Sequence, residues 1–328
     1  MKELYVNPSS QTFSTIQSAI FSIPQENSEP VIIHLTPGTY REKLIINRPF
    51  IHLQGESPES THIVYGDYAL KPWEDGFKCG TFRSYSVFVD AHDFFAKNIS
   101  FINDAGLGKD VGQALALYVD GDRITFENCR FLGSQDTLFT GPLPPKEIEP
   151  GGFRGPKEFA KRRSGRHYYR NCFIRGDIDF IFGGATAYFE NCEIFAQRTD
   201  NETDGKIYSY LTAASTPEGQ EYGYVFESCR LTSNCPPASV YLGRPWRNYA
   251  KTVFLNCQMG AHIHPEGFHD WKKADAHSTC FYAEYNSSGP GASPDTRASF
   301  VRQLTPEEYS HFTKENVLAG NDDWNGTL

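Results

Sequence analysis

Two aspartates stand in apolar, aromatic surroundings with no basic residue inside either segment. Asp136 lies in Gly133-Ser134-Gln135-Asp136-Thr137-Leu138, and Asp179 in Gly176-Asp177-Ile178-Asp179-Phe180-Ile181-Phe182-Gly183. An unpaired carboxylate is costly to bury, so two of them suggest chemistry. A carboxylate nucleophile can attack an ester carbonyl while a neighbouring carboxylic acid protonates the departing alkoxide. The two groups then need different protonation states, which burial and mutual repulsion can supply. Arg244, in Leu242-Gly243-Arg244-Pro245-Trp246, is of the type that keeps a nucleophile ionised and aimed. Gln113 and Gln135 are amides in apolar strand contexts. They either donate to a developing oxyanion or satisfy backbone groups.

Such residues need a rigid scaffold, and a repeat provides one. Five of the eight cysteines share the pattern aromatic-x-Asn/Ser-Cys-x-apolar, at Phe126–Phe131, Tyr169–Ile174, Phe189–Ile194, Phe226–Leu231 and Phe254–Met259. Plain strand alternation would put the aromatic and the cysteine on opposite faces. An Asn in the left-handed region resets the phase, so that both point inward at a sharp bend. Successive cysteines are 43, 20, 37 and 28 residues apart, which suits stacked coils whose loops vary in length. The expected fold is all-β: a single-domain right-handed parallel β-helix over residues 1–328. A β-sandwich is the alternative. Ser14-Thr15-Ile16-Gln17 and Thr305-Pro306-Glu307-Glu308 predict short capping helices at the two ends.

The repeated cysteines are expected to be buried apolar groups, with a disulfide open among Cys79, Cys235 and Cys280. A net charge of −9 opposes nucleic-acid binding, and no apolar run is long enough to span a membrane. Met1–Asn7 lacks the pattern of a secretory leader. The protein is therefore expected in the cytoplasm, or, alternatively, secreted with a leader already removed. A monomer is the expectation.

The gap between Asp136 and Asp179 holds an insert, residues 141–170. From Lys146 to Arg170 there are eight Lys/Arg against three Asp/Glu. This basic loop either borders the site and attracts an anionic polymer or is a solvated surface.

Five segments, in order, resemble the signature segments of pectin methylesterases (pectinesterases). They are Gly38-Thr39-Tyr40-Arg41-Glu42, Gly112–Leu117, Gly133–Thr137, Asp179–Gly183 and Leu242–Trp246. The long insert looks like bacterial members. The resemblance implies hydrolysis of methyl esters of polygalacturonate or oligogalacturonides without metal or other cofactor. It assigns Asp179 as nucleophile, Asp136 as general acid and later base, Gln113 and Gln135 as oxyanion donors, and Arg244 as the group orienting Asp179. It also implies saccharide contacts from Trp246, Phe182, Ile178 and Tyr249. Tyr40 and Glu42 read as structural support for the cleft.

Rival readings are a depolymerase, a calcium-dependent lyase drawing on Asp200, Glu202 and Asp204, and a catalytically silent carbohydrate binder. The depolymerase would need a Gly-His-Gly segment as well as an Arg-x-Lys, and no Gly-His-Gly occurs. His262, His264, His269, His277 and Cys280 are too loosely spaced for zinc and read as a surface segment. Asn-x-Ser/Thr triplets at Asn98, Asn201, Asn286 and Asn325 carry no weight without a secretory leader.

Overall fold

A computed structural model describes residues 2–327 apart from 8, 10, 11, 201–204 and 274. Asn201, Glu202 and Asp204 lie outside the described residues. Three sheets of eleven, seven and eight strands run the length of the molecule, and each follows chain order from one end to the other. Every strand pairing between neighbouring coils is parallel. This removes the sandwich alternative, whose hairpins would be antiparallel.

Side-chain ladders set the register. In the eleven-stranded sheet Ile124 pairs with His167, His167 with Ala187, Ala187 with Tyr224 and Tyr224 with Thr252. Those offsets equal the cysteine intervals. Asn128, Asn171, Asn191, Ser228 and Asn256 all have φ between 50 and 54°, the left-handed bend that the phase argument requires. Asn98 and Asn286 adopt it too, at 59 and 48°, in coils that lack the cysteine marker. The cysteines behind these bends are buried.

Inside, Phe126, Tyr169, Phe189, Phe226 and Phe254 form a continuous stack with ring centres 5.3, 4.6, 4.4 and 4.6 Å apart. Each contact of this kind contributes about 0.5–1.5 kcal/mol beyond area burial. A slip of one residue would break all of them together.

All eight cysteines are free. The disulfide left open among Cys79, Cys235 and Cys280 does not form, because these three belong to separate coils. At the N-terminal end the helix Ile16–Phe21 buries Ile16, Ala19 and Ile20. Its cap is Thr15 rather than Ser14, and Glu42 accepts the first two amides, from Ile16 (2.8 Å) and Gln17 (3.0 Å). A carboxylate at a helix N-terminus is favoured by charge and geometry together. The Tyr40 hydroxyl donates to the carbonyls of Val6 and Thr36. Tyr40 and Glu42 thus support the N-terminal cap, not the cleft as expected.

The helix Pro306–Tyr309 has the expected capping box between Thr305 and Glu308. With the helix Lys314–Leu318 it lies along the flank of the eleven-stranded sheet. Val317, Leu318 and Trp324 there cover Tyr168, Tyr188 and Val225.

Candidate active site

The seven-stranded sheet carries the site. Leu138 pairs with Ile181 across neighbouring coils. Counting back two residues in each strand brings Asp136 opposite Asp179, and the Asp136 amide donates to the Ile178 carbonyl at 3.0 Å. The 43-residue gap is therefore one turn of the solenoid plus its corner loop. Both aspartates have positive φ, 63 and 52°, the same left-handed region as the coil bends, which Asp and Asn tolerate better than most residues. The register with the next strand also shifts between Ile178 and Ile181. Together these distortions bring both carboxylates into one cavity of about 360 Å³.

The two carboxylates differ in charge environment. Arg244 grips Asp179 bidentately, Nε to Oδ1 at 2.8 Å and Nη2 to Oδ2 at 2.7 Å. Burial raises the Asp179 pKa, and Arg244 opposes that rise. Asp136 has no such partner. Burial first, then the charges of Asp179 and Asp177, push it well above the usual carboxylate range. Asp177 accepts from the Ile178 amide at 2.6 Å, and burial raises it to about 6. One carboxylate is thus held as an acid beside one held by a cation.

Arg244 is itself fixed. Its guanidinium lies between Tyr210 (3.9 Å) and Trp271 (3.8 Å), and its amide donates to the Thr212 carbonyl. A Cβ on Gly243 would come within 2.0 Å of Thr212 Oγ1, so this turn requires glycine.

Gln113 and Gln135 line the cavity, and among the described residues neither side-chain amide bonds the backbone. That disposes of the backbone-satisfying alternative and leaves both amides open to the cavity. Phe182 and Trp246 line it as well, their rings 5.7 Å apart. Ile178 and Tyr249 are not brought into the cavity lining. Ile178 is half-buried at the start of its strand, and the pKa of the Tyr249 hydroxyl is raised by the neighbouring Glu218 carboxylate.

Sequence reasoning missed Phe82, Phe153, Tyr210, Trp271 and Asp177. Phe82 and Phe153 complete the aromatic wall around Trp246. None of these aromatics sits in a recurring pattern. Only Tyr210 had a positional signal, since it pairs with Ile178 one coil on.

The insert ends at Gly165, because Arg166–Arg170 is a strand of the eleven-stranded sheet. The loop does border the cavity, but through Ile148, Glu149, Gly152 and Phe153. Three of its six cations are engaged elsewhere. Lys157 pairs with Asp90, Arg162 donates to the carbonyls of Pro144, Lys157, Glu158 and Ala160, and Arg154 lies over Phe77. Of the two readings left open for the loop, it borders the site, but the part lining the cavity is apolar, aromatic and acidic rather than basic. No cluster of three or more metal-ligating side chains occurs among the described residues. His262 is buried, with a pKa lowered by burial to about 4, rather than on a surface segment.

The fold and site define a parallel β-helix with two buried carboxylates in an aromatic cleft. The sequence profile described as Pectinesterase matches residues 5–142 and 155–321, leaving out twelve residues of the insert. Pectinesterase 31 of Arabidopsis thaliana is 35% identical over 319 residues, covering 95% of this chain and 90% of the relative. Among solved structures, pectin methylesterase PemA from Erwinia chrysanthemi matches with a TM-score of 0.80 at 32% identity, covering 100% of this chain and 99% of the other. A pectin methylesterase in complex with a hexasaccharide gives 0.82 at 32%, with the same coverage. The chain belongs to the pectinesterase family, and it is a carboxylic ester hydrolase that de-esterifies pectin.

Proposed function

We propose that the enzyme hydrolyses the methyl esters of homogalacturonan with Asp179 as nucleophile and Asp136 as acid and base. The observation that carries this reading is the asymmetry of the pair: Asp179 is clamped by Arg244, and Asp136 is buried without a cation of its own. An Asp179 carboxylate oxygen attacks the ester carbonyl carbon. Negative charge builds on the carbonyl oxygen, where the amides of Gln113 and Gln135 donate. One such donor is worth about 3–4 kcal/mol. The carbon–methoxy bond then breaks, and Asp136 gives its proton to the methoxy oxygen, releasing methanol.

Asp136, now a carboxylate, takes a proton from water as that water attacks the acyl carbon. The bond to Asp179 breaks, the galacturonic acid group leaves and loses its remaining proton to solvent, and both aspartates return to their starting states. Trp246, Phe182 and Phe153 offer faces on which sugar rings can stack. The hexasaccharide bound by the related structure supports an oligogalacturonide as a sufficient substrate.

The test is methanol release from methyl-esterified pectin, with and without chelator, by wild type and Asp179→Asn. The expected result is chelator-insensitive methanol release that falls at least 1,000-fold in a folded variant. Appreciable turnover by Asp179→Asn would remove the nucleophile assignment. A chelator-sensitive unsaturated product would indicate a lyase, and no product at all a binding protein.

A further inference from the structure

His269 does not line the cavity, yet it touches both sides of the Arg244 sandwich. Its Nδ1 accepts the Trp271 amide at 3.0 Å, and its ring meets the Tyr210 ring at 5.9 Å between centres. Its own amide donates to the Gly243 carbonyl at 3.0 Å, one residue before Arg244. The guanidinium that clamps Asp179 is stacked between those same two rings, Tyr210 and Trp271. Trp271 rides on a turn in which it and Lys272 both have positive φ, 55 and 56°, and the bond to its amide restrains that turn.

An amide two residues on is an ordinary target for an Asp or Asn oxygen. This chain makes that contact from Asp75 to Phe77 (3.1 Å), Asp270 to Lys272 (2.8 Å) and Asn325 to Thr327 (3.1 Å). At position 269 a histidine takes the place of the oxygen. An amide can donate to Nδ1 only while that nitrogen keeps its lone pair, so the bond requires the neutral ring with its proton on Nε2. A second proton, taken from solvent, turns Nδ1 into a donor facing a donor, and the bond is lost. The ionisable groups around His269 are Tyr210 and Tyr241 from the strands beneath it, and His264, Glu266, Asp270 and Arg244 from the turns beside it.

We propose that His269 is a positioning residue for the ester hydrolysis, holding Trp271 and Tyr210 against Arg244 only while its ring is neutral. Protonation frees the Trp271 amide, loosens the stack on Arg244 and leaves Asp179 less well aimed. Turnover thereby gains a dependence on pH beyond that of the two aspartates. This rests on the reading of Asp179 as nucleophile and adds a control to it. Because His269 acts through Arg244 rather than on the sugar, its effect falls on kcat and not on KM.

The experiment measures kcat and KM for methanol release from methyl-esterified pectin by wild type, His269→Asn and His269→Leu. The range is about pH 5 to pH 8, over which histidines as a class change charge. His269→Leu, which cannot accept the amide, should lose about tenfold in kcat at the alkaline end with KM little changed, as for a slightly misplaced reacting group. His269→Asn keeps an acceptor that does not titrate and should restore most of that loss. The ratio of its kcat to that of wild type should rise about threefold toward acid pH, since the aspartates titrate in both enzymes and cancel. A flat ratio, or a loss in His269→Asn as large as in His269→Leu, overturns the proposal and leaves His269 a packing residue. If His269→Leu fails to fold, the ratio for His269→Asn decides alone. Full turnover by Asp179→Asn, or no methanol from wild type, would instead remove the underlying reading whatever His269 does.

Discussion

At the scale of single residues, the site turns on where one proton resides. Burial and two neighbouring carboxylates raise Asp136 well above the usual range. A carboxyl with a raised folded pKa favours the native state while protonated. That contribution is complete below the unfolded carboxylate range, near pH 4, and is lost as pH rises through the folded pKa. Two outcomes follow for Asp136→Asn. Turnover should fall on the order of 100- to 10,000-fold, as for loss of a general acid. Stability relative to wild type should improve from pH 5 to pH 8, since the amide never ionises. Chemical denaturation at both pH values checks this, and an equal stability difference at the two would mean that Asp136 is not held protonated.

The proposed acid, nucleophile and arginine were legible in sequence because each sits in a short segment with distinctive neighbours. Tyr210 and Trp271, which sandwich Arg244, were not. Their role depends on the path of distant loops, and Trp271 reaches its place through a positive-φ turn of 55° that no residue type announces.

At the scale of the element, the bend at each Asn sets the geometry of a coil. The phase argument from Phe-x-Asn-Cys located five bends correctly, because backbone sterics at one residue decide them. It missed Asn98 and Asn286, where the next residue is Ile99 or Ser287 instead of cysteine. Side-chain hydrogen bonds join Asn128 to Asn98 and Asn286 to Asn256. Asn171 is exposed, so its conformation can be tested apart from core packing. Asn171→Gly should be nearly neutral, whereas Asn171→Val should destabilise by about 1–2 kcal/mol, the cost of the left-handed region for a residue with a bulky Cβ. A thermal-denaturation series checks the order. If Val were tolerated as well as Gly, the bend would be set by its neighbours instead.

The insert shows the opposite case. Its charge count suggested a basic rim, yet burial, carbonyl contacts and local pairing occupy half of the loop's cations, and the cavity receives Ile148, Glu149, Gly152 and Phe153. Composition locates a loop's charge but not the side chains that face inward.

At the scale of the whole molecule, the solenoid is nearly one-dimensional, and each coil touches mainly its neighbours. The C-terminal segment departs from that rule. Arg166 donates to the carbonyls of Leu318 and Ala319 and pairs with Asp322, while Thr125 donates to the Gly326 carbonyl across 201 positions of sequence. Arg123 also reaches Asp322 at 3.1 Å. Residues 310–327 thereby fasten the middle coils to the far end. Their removal should expose Tyr168, Tyr188 and Val225 and uncouple the coils. Denaturation followed by intrinsic fluorescence and by circular dichroism should then give separate transitions where the intact chain gives one. Coincident curves for the shortened chain would show that the coils cooperate without the segment. Sequence reasoning expected the helix just before this segment from its capping box but not where the segment docks, since partners such as Arg166 and Thr125 lie far upstream.

This segment also has a consequence for synthesis. A ribosome releases residues 310–327 only after every coil they cover. The middle coils therefore emerge with an apolar flank open to water and wait for the rest of the chain. A product stopped short of that segment keeps the flank exposed, and it is the kind of surface that chaperones and proteases recognise. The contacts that hold the middle coils to residues 310–327 are thus formed after the coils' contacts with one another.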